Sequence, residues 1–272
     1  MNNKLTEKQI ASYQENGFLI IDKFLNETEL ETWRKLVREA VSLRDQNRLP
    51  DGSFRLSRKV ETGADLVFQQ RVNLWMDNEG IRNLMLDNRL GKMAAELEGV
   101  DGIRIWHDQA LIKKPWSNPT NWHQDNTKWS FESQHAITIW IALDDISLQN
   151  GCMFFLPKTH KKRLDDYPAT GADLGAMFAA YPELGRMEPT PVLMPAGGCS
   201  FHNGLMVHAA NPNMTPYPRR AFTCAYMPDQ SRYNGIPNVL PNEILNTIQI
   251  NDLLNDESQN PLIYSHKSSK QD

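Results

Sequence analysis

The sequence predicts a mainly β, α+β protein: a sandwich or double-stranded β-helix with N-terminal helices packed on its sheet. Three observations predict it. Up to Gly102 apolar residues recur mostly at helical spacing, and beyond Gly102 they fall in short runs rich in β-branched and aromatic residues. The later runs are joined by Gly, Pro and Asn turns, whereas a parallel sheet would need a helix between successive strands. The chain of 272 residues is ample for one domain. Residues 1–100 read as a mainly helical scaffold, 101–235 as the β core with a lid inserted at about 161–191, and 236–272 as a C-terminal segment.

Thr6 and Gln9 have the form of a capping box, Ile10 and Tyr13 follow at helical spacing, and Gly17 stops the helix. Residues 18–21 make a short apolar strand. Asn26 or Thr28 opens a second helix with Leu30, Trp33, Leu36, Val37 and Ala40 on one face, ending before Pro50. Residues 51–63 are polar and basic, with Arg55, Arg58 and Lys59, and read as a loop. Residues 66–75 re-enter a strand, and Ile81, Leu84, Met85, Leu90 and Met93 mark one or two helices over 79–98.

Residues 103–113 are the first long strand and 136–143 the second, closed by Asp144 and Asp145. Asn150-Gly151 has the composition of a hairpin turn into residues 152–156. The stretch 161–191, with Arg163, Tyr167, Phe178, Tyr181 and Arg186, lacks strand character, and long excursions of this kind are commonly functional lids. A Pro-Ala-Gly-Gly turn at 195–198 leads to a strand at Cys199, Leu205 to His208 ends another, and residues 219–227 are the last clear strand. The polar tail from Asn255 reads as frayed.

A net charge of −4 provides no basic field for a phosphate backbone, so nucleic acid is not an expected partner. No apolar run is long enough to span a bilayer and the N-terminus lacks a secretory signal, which points to the cytoplasm. The three cysteines, Cys152, Cys199 and Cys224, are too few and too scattered for a disulfide framework or a zinc–thiolate site, and read as buried strand residues.

The chemistry centres on the run 121–125, NWHQD. In an extended strand His123 and Asp125, two apart, would project to one side. A third ligand would make two histidines and a carboxylate, the facial set used by non-haem Fe(II) oxygenases. His202 and His208 are the strand-borne candidates, with His107, His135 and His160 behind them. His208 is favoured because it ends an apolar strand at a loop mouth, where a rigid scaffold presents side chains to a cleft. Arg219 starts the next strand, where a hairpin would return its guanidinium, a good partner for a carboxylate, to the metal; Arg220 then points outward.

Several stretches in order, LTEKQIASYQENGFLIIDKFL, WHDQALIKKP, NWHQD, ITIWIALDD, NGCMFFLPKTHK, FHNGLMVHAANPN and PRRAF, resemble the phytanoyl-CoA dioxygenase-like Fe(II)/2-oxoglutarate-dependent oxygenases across most of the chain. The resemblance implies a double-stranded β-helix of jelly-roll, cupin-like form. It implies Fe(II) held by His123, Asp125 and His208, with 2-oxoglutarate on the iron and its C5 carboxylate on Arg219. Gln124, Trp140 and Lys113 match positions flanking the co-substrate, His202 stands behind the ligands, and His160 has a structural role. Relatives commonly carry Gly-Ser after the distal histidine where this chain has Ala209-Ala210; Thr223 or a water would replace that hydroxyl contact.

The reaction so implied hydroxylates a C–H bond of a small metabolite with dioxygen, releasing succinate and CO2, and ascorbate would support it. Asp125 favours hydroxylation over halogenation, because related halogenases place a small residue there. Arg58, Lys59 and Arg163 suggest an anionic or zwitterionic substrate, and Trp129, with Trp116 and Phe131, an apolar wall. Two alternatives are a catalytically inactive binding protein of the same fold and a cupin-type metalloenzyme independent of 2-oxoglutarate. Nothing in the sequence sets the oligomeric state.

Overall fold

The structure, a computed structural model, describes residues 1–45, 67–165, 167 and 173–266. The basic loop with Arg55, Arg58 and Lys59 lies outside the described residues.

Helix α1 (Glu7–Asn16) begins at Thr6, whose hydroxyl accepts from the Gln9 amide at 3.2 Å while Gln9 Oε1 accepts from Thr6 N at 2.9 Å. It stops at Gly17, where φ is +84° and a Cβ would lie 2.4 Å from the His160 ring. His160 therefore seals the helix end, with Nε2 3.3 Å from Gln14 O, as a structural residue should. Strand β1 (Phe18–Ile21) follows. Helix α2 (Glu27–Asp45) is capped by Asn26: Asn26 Oδ1 accepts from Glu29 N at 2.9 Å and Glu29 Oε2 accepts from Asn26 N at 3.0 Å. Strand β2 (Gln69–Val72) precedes two separate helices, α3 (Glu79–Met85), capped by Asn78, and α4 (Asn88–Glu98), capped by Asp87.

From Gly102 the chain adds β3 (Gly102–Lys113), β4 (Thr120–His123), β5 (Ile137–Ala142) and β6 (Met153–Phe155). After the short helix α5 (Ala176–Ala180) come β7 (Thr190–Val192), β8 (Cys199–Asn203), β9 (His208–Ala210), β10 (Arg219–Pro228) and β11 (Leu262–Ser265). They form a seven-stranded antiparallel sheet, β1-β8-β5-β10-β3-β11 with β2 also on β3, and a four-stranded one, β4-β9-β6-β7.

Strand alternation builds the layers. Ile137, Ile139, Ile141, Phe201, Phe222 and Tyr226 face the helices and bury Trp33, Val37, Ile81, Met85, Leu90 and Met93. The opposite face of the large sheet, through Ile20, Trp140, Ala142 and Ala221, meets Met153, Phe155 and Val192 of the small one. This is the expected jelly-roll core behind helices. Among the described residues no helix is long and apolar enough to cross a membrane.

Two expectations are corrected. Asn150-Gly151 is no hairpin, because β5 belongs to the large sheet and β6 to the small one; the turn carries the chain between layers. Gly151 has φ +86°, and a Cβ there would lie 2.4 Å from Lys113 Cδ. The tail does not fray up to residue 266. Its β11 pairs with β3, and Arg104 donates to Asp229, Glu257 and the Asn260 carbonyl at 2.7, 2.7 and 2.8 Å. Polar anchoring by one buried arginine and the burial of Ile263 and Tyr264 in the core hold it.

Candidate metal centre

The centre assembles where the small sheet faces the large one. Strand β4 ends at His123, and Asp125 takes helical angles (φ −67°, ψ −48°) at the start of a 3-10 turn, Asn126–Lys128. Strand alternation therefore does not bring His123 and Asp125 together, as the sequence suggested; the turn does. His208 opens β9 instead of ending a strand over 205–208 as the sequence suggested, and it lies directly opposite His123 in the antiparallel β4–β9 pair. Cross-strand neighbours share a face, so the imidazole centroids are 4.1 Å apart. Ligand atoms of His123, Asp125 and His208 all lie within 4.8 Å of one another.

The backbone selects which nitrogens face that point. His123 Nδ1 lies 2.7 Å from Asn121 O and His208 Nδ1 2.9 Å from Met206 O. A carbonyl can only accept, so Nδ1 carries the hydrogen in both rings and each Nε2 presents a lone pair. The Nε2 atoms are 3.3 Å and 3.9 Å from Asp125 Oδ1. Burial, reinforced by His123, pushes His208 down to about 3, so it is neutral at physiological pH. Burial alone would raise Asp125, but the surrounding His208, His123 and His202 hold it well below the carboxylate range. His123 is pulled down by burial and more than restored by Asp125. One carboxylate and two converging imidazole Nε2 atoms form a donor set that suits a divalent transition metal.

The large sheet runs beneath the triad. Its registers align His202, Thr138, Ala225 and His107 in one row across β8, β5, β10 and β3. His202 Nε2 lies 3.6 Å from Asp125 Oδ2, and neither ring nitrogen of this buried side chain has a hydrogen-bond partner among the described residues. His107 faces inward because a bulge adds Trp106 to β3 opposite the Ala225–Tyr226 step. Burial brings His107 down to about 4, so it too is neutral.

Farther along the same face stand two cations. The β9–β10 connection changes sheets, so no hairpin returns Arg219 to the metal; Arg219 instead faces the interior from the first position of β10, opposite Lys113 of β3. It is 3% exposed, its guanidinium lies 5.2 Å over Trp140, and Nε and Nη1 have no partner among the described residues. Arg220 turns outward to Asp144. Lys113 Nζ donates to Asn118 O at 2.8 Å. Burial brings Arg219 down to about 10, and burial with Arg219 alongside brings Lys113 to about 7. Buried cations with unused donors form a pocket for an anion.

Other expected residues lie elsewhere. The Gln124 amide is occupied: Nε2 donates to Lys162 O and Leu205 O at 2.8 and 2.6 Å, and Oε1 accepts from Leu164 N at 2.8 Å. It ties backbone together and has no donor left for a co-substrate. Trp129 packs in the core with Trp106 and Phe131, so it is no exposed wall, while Trp116 is 69% exposed. Arg163 is paired with Asp165 at 2.5 Å and Glu132 at 3.7 Å and is no free cation. Arg58 and Lys59 lie outside the described residues. His135 pairs with Glu98, 3.4 Å away. Sequence reasoning missed the inward place of His107; the period of two from Lys113 through Leu111 and Gln109 pointed to it.

The model of the phytanoyl-CoA dioxygenase family matches residues 13–221. The chain belongs to that family. Among its relatives, the methylphosphonate hydroxylase of Gimesia maris is 27% identical over 234 residues, covering 83% of this chain and 82% of that one. Among solved structures, the non-heme alpha-ketoglutarate-dependent carbocyclase SnoK from nogalamycin biosynthesis matches with a TM-score of 0.76 at 25% identity, over 95% of this chain and 96% of its own. The epimerase SnoN, in complex with Fe3+, alpha-ketoglutarate and nogalamycin RO, matches with a TM-score of 0.74 at 25% identity, over 94% and 98%. Membership bears out the enzyme class and the cofactors expected from the sequence, iron and 2-oxoglutarate.

Proposed function

We propose that the chain is an Fe(II)/2-oxoglutarate-dependent hydroxylase of a small metabolite, with iron on His123 Nε2, His208 Nε2 and an Asp125 carboxylate oxygen. One observation carries the assignment: both Nδ1 atoms are held by carbonyls two residues upstream, so the Nε2 lone pairs converge with Asp125. Bound there, iron and 2-oxoglutarate supply dioxygen activation, with succinate and CO2 released. The protein's part is binding and orientation. Arg219, flanked by Lys113 and floored by Trp140, takes the C5 carboxylate, and its Nε and Nη1 donors, without a partner among the described residues, support this role. His202 and His107, both buried, wall in the Asp125 side.

Residues 161–191 act as the lid in this reading. Leu164, Met177 and Leu184 pack with Leu156, Val207 and Trp122 beside the ligand strands, and Tyr167 Oη accepts from Gln124 N at 2.8 Å. The whole chain then works as one oxygenase domain, in the cytoplasm, where its three buried free thiols stay reduced. A small anionic or zwitterionic substrate is supported by the methylphosphonate named for the Gimesia maris relative.

The test is succinate release from 2-oxoglutarate with added Fe(II) and ascorbate over a panel of small phosphonates, amino acids and neutral alcohols. Turnover abolished by His208→Ala supports the reading. Absence of turnover across the panel, coupled or uncoupled, would leave a binding protein of the same fold.

A further inference from the structure

Gln124 lies between two of the three proposed metal ligands, yet its side chain touches none of them. It is completely buried, and every polar atom of its amide that forms a bond does so with backbone from two other segments. Nε2 reaches Leu205 O at 2.6 Å in the turn between β8 and β9, and Lys162 O at 2.8 Å, while Oε1 takes the Leu164 amide at 2.8 Å. The segment carrying His123 and Asp125 is thereby bolted to the turn that delivers His208 and to the root of the 161–191 excursion.

Both ends of that turn are held, by Gly204 N to Ala136 O at 2.7 Å and Val207 N to Thr159 Oγ1 at 3.0 Å, and among the described residues Gln124 gives the Leu205 carbonyl its hydrogen bond. Leu205 N donates to Asn203 Oδ1 at 2.8 Å, Met206 N to Asn203 O at 2.8 Å, and Gly204 O accepts from Asn126 N at 2.9 Å. Within it Met206 O receives the Nδ1 hydrogen of His208 at 2.9 Å, so the turn's position sets the direction of His208 Nε2. A displaced Leu205 carbonyl would carry Met206 O, and with it the imidazole, away from the point shared with His123 and Asp125. Outer partners that orient a metal ligand in this way are worth about 10- to 100-fold in metal affinity.

We propose that Gln124 is a positioning residue that sets His208 against His123 and Asp125 and couples the metal site to the 161–191 excursion, without contacting metal or co-substrate. The inference rests on the iron triad proposed above. Gln is required chemically: the site needs two donors to carbonyls and one acceptor from an amide, which a primary amide of this length provides. Glutamate keeps the acceptor and sets a carboxylate oxygen against two carbonyls; methionine keeps length and burial and loses all three bonds.

The experiment uses Co(II) on the full chain, because Co(II) bands in the visible report ligand geometry directly. Wild type, Gln124→Met, Gln124→Glu and His208→Ala are titrated with Co(II), and thermal melts of the metal-free proteins are recorded alongside. Wild type should bind one Co(II) and His208→Ala should lose most of that affinity. Both Gln124 variants should bind about tenfold or more weakly, with shifted visible bands, a change that lowered fold stability alone does not produce. Should either folded Gln124 variant keep wild-type affinity and bands, the positioning role is overturned while the triad stands. Should wild type bind no Co(II), or His208→Ala bind like wild type, the triad itself fails and Gln124 falls with it. If Gln124→Met does not fold, Gln124→Glu decides by the same criteria.

Discussion

Replacing Arg219 by methionine should separate co-substrate affinity from fold stability, moving them in opposite directions. Arg219 is buried with Nε and Nη1 unpartnered among the described residues, and burial lowers it from 12.5 to about 10. Because the folded value is depressed, the unfolded chain holds the proton more tightly, and the penalty is complete at any pH below about 10. At about 1.4 kcal/mol per unit this is about 3 kcal/mol against the metal-free fold. Methionine removes the charge and retains much of the contact with Trp140, so the variant should melt no lower than wild type, after a loss of about 0.5–2 kcal/mol of cation–π attraction. Its 2-oxoglutarate affinity should collapse. Two charge-assisted bonds at about 1.5–3 kcal/mol each give about 3–6 kcal/mol, or about 100- to 10,000-fold. Calorimetric titration of 2-oxoglutarate into Fe(II)- or Co(II)-loaded protein measures the first quantity and differential scanning fluorimetry the second. A variant that keeps wild-type affinity would refute the anchor and favour a metalloenzyme independent of 2-oxoglutarate; one that melts far lower would refute the account of an uncompensated buried cation.

Asp125→Ala should abolish succinate release and cut Fe(II) affinity, since the only carboxylate of the triad is removed; unchanged succinate release would relocate the metal. Lys113, at about 7 in the metal-free fold against an ordinary 10.5, should take up a proton when the co-substrate carboxylate arrives. Titrations near pH 8 in two buffers of different ionisation heat should therefore differ, and identical heats would remove Lys113 from the anion pocket. The same shift makes the metal-free fold gain stability as pH rises from about 7 to 10.5, the window in which only the unfolded chain keeps the proton. Gly151→Ala should destabilise by about 1–3 kcal/mol and weaken 2-oxoglutarate binding, because φ is +86° and the new Cβ would lie 2.4 Å from Lys113 Cδ. Wild-type melting and affinity together would show that Lys113 can move freely.

The local chemistry of the helices was legible in the sequence: Thr6 with Gln9, the stop at Gly17 and the Asn26 cap act through neighbours within four residues. Long-range placement was legible only where a family pattern carried it. His123 and Asp125 were paired for the wrong reason, since a broken strand, and not alternation, turns the carboxylate toward the imidazole. Arg219 was placed inward, but by an imagined hairpin, whereas its chain has crossed to the opposite sheet. Gln124 was expected beside the co-substrate from the family pattern alone; a side chain's partners depend on which distant backbone lies above it. The tail was missed because its polar hold is Arg104, 153 residues from Glu257, and its apolar hold, Ile263 with Tyr264, is too short to form a periodic pattern.

The two sheets divide the chemistry. The four-stranded sheet and the turn after it hold all three proposed iron ligands, and the seven-stranded sheet holds Arg219, Lys113 and Trp140. On the proposed ligand set, iron affinity would depend on how β4 and the turn before β9 are bolted together, through Gln124 and the two imidazole-to-carbonyl bonds. Co-substrate affinity would depend on the buried cations of the facing layer, fixed by the β3–β10–β5 register. Packed sheets lie about 10 Å apart, a gap suited to a five-carbon dicarboxylate reaching from a metal on one to a guanidinium on the other. Substitutions at Met153 and Val192, in the layer that sets this separation, should then weaken 2-oxoglutarate binding without touching metal affinity in the absence of co-substrate. Val192→Ala is the mildest such change. A parallel loss of both affinities in that variant would mean that the layers do not act independently, and that the site is one rigid body.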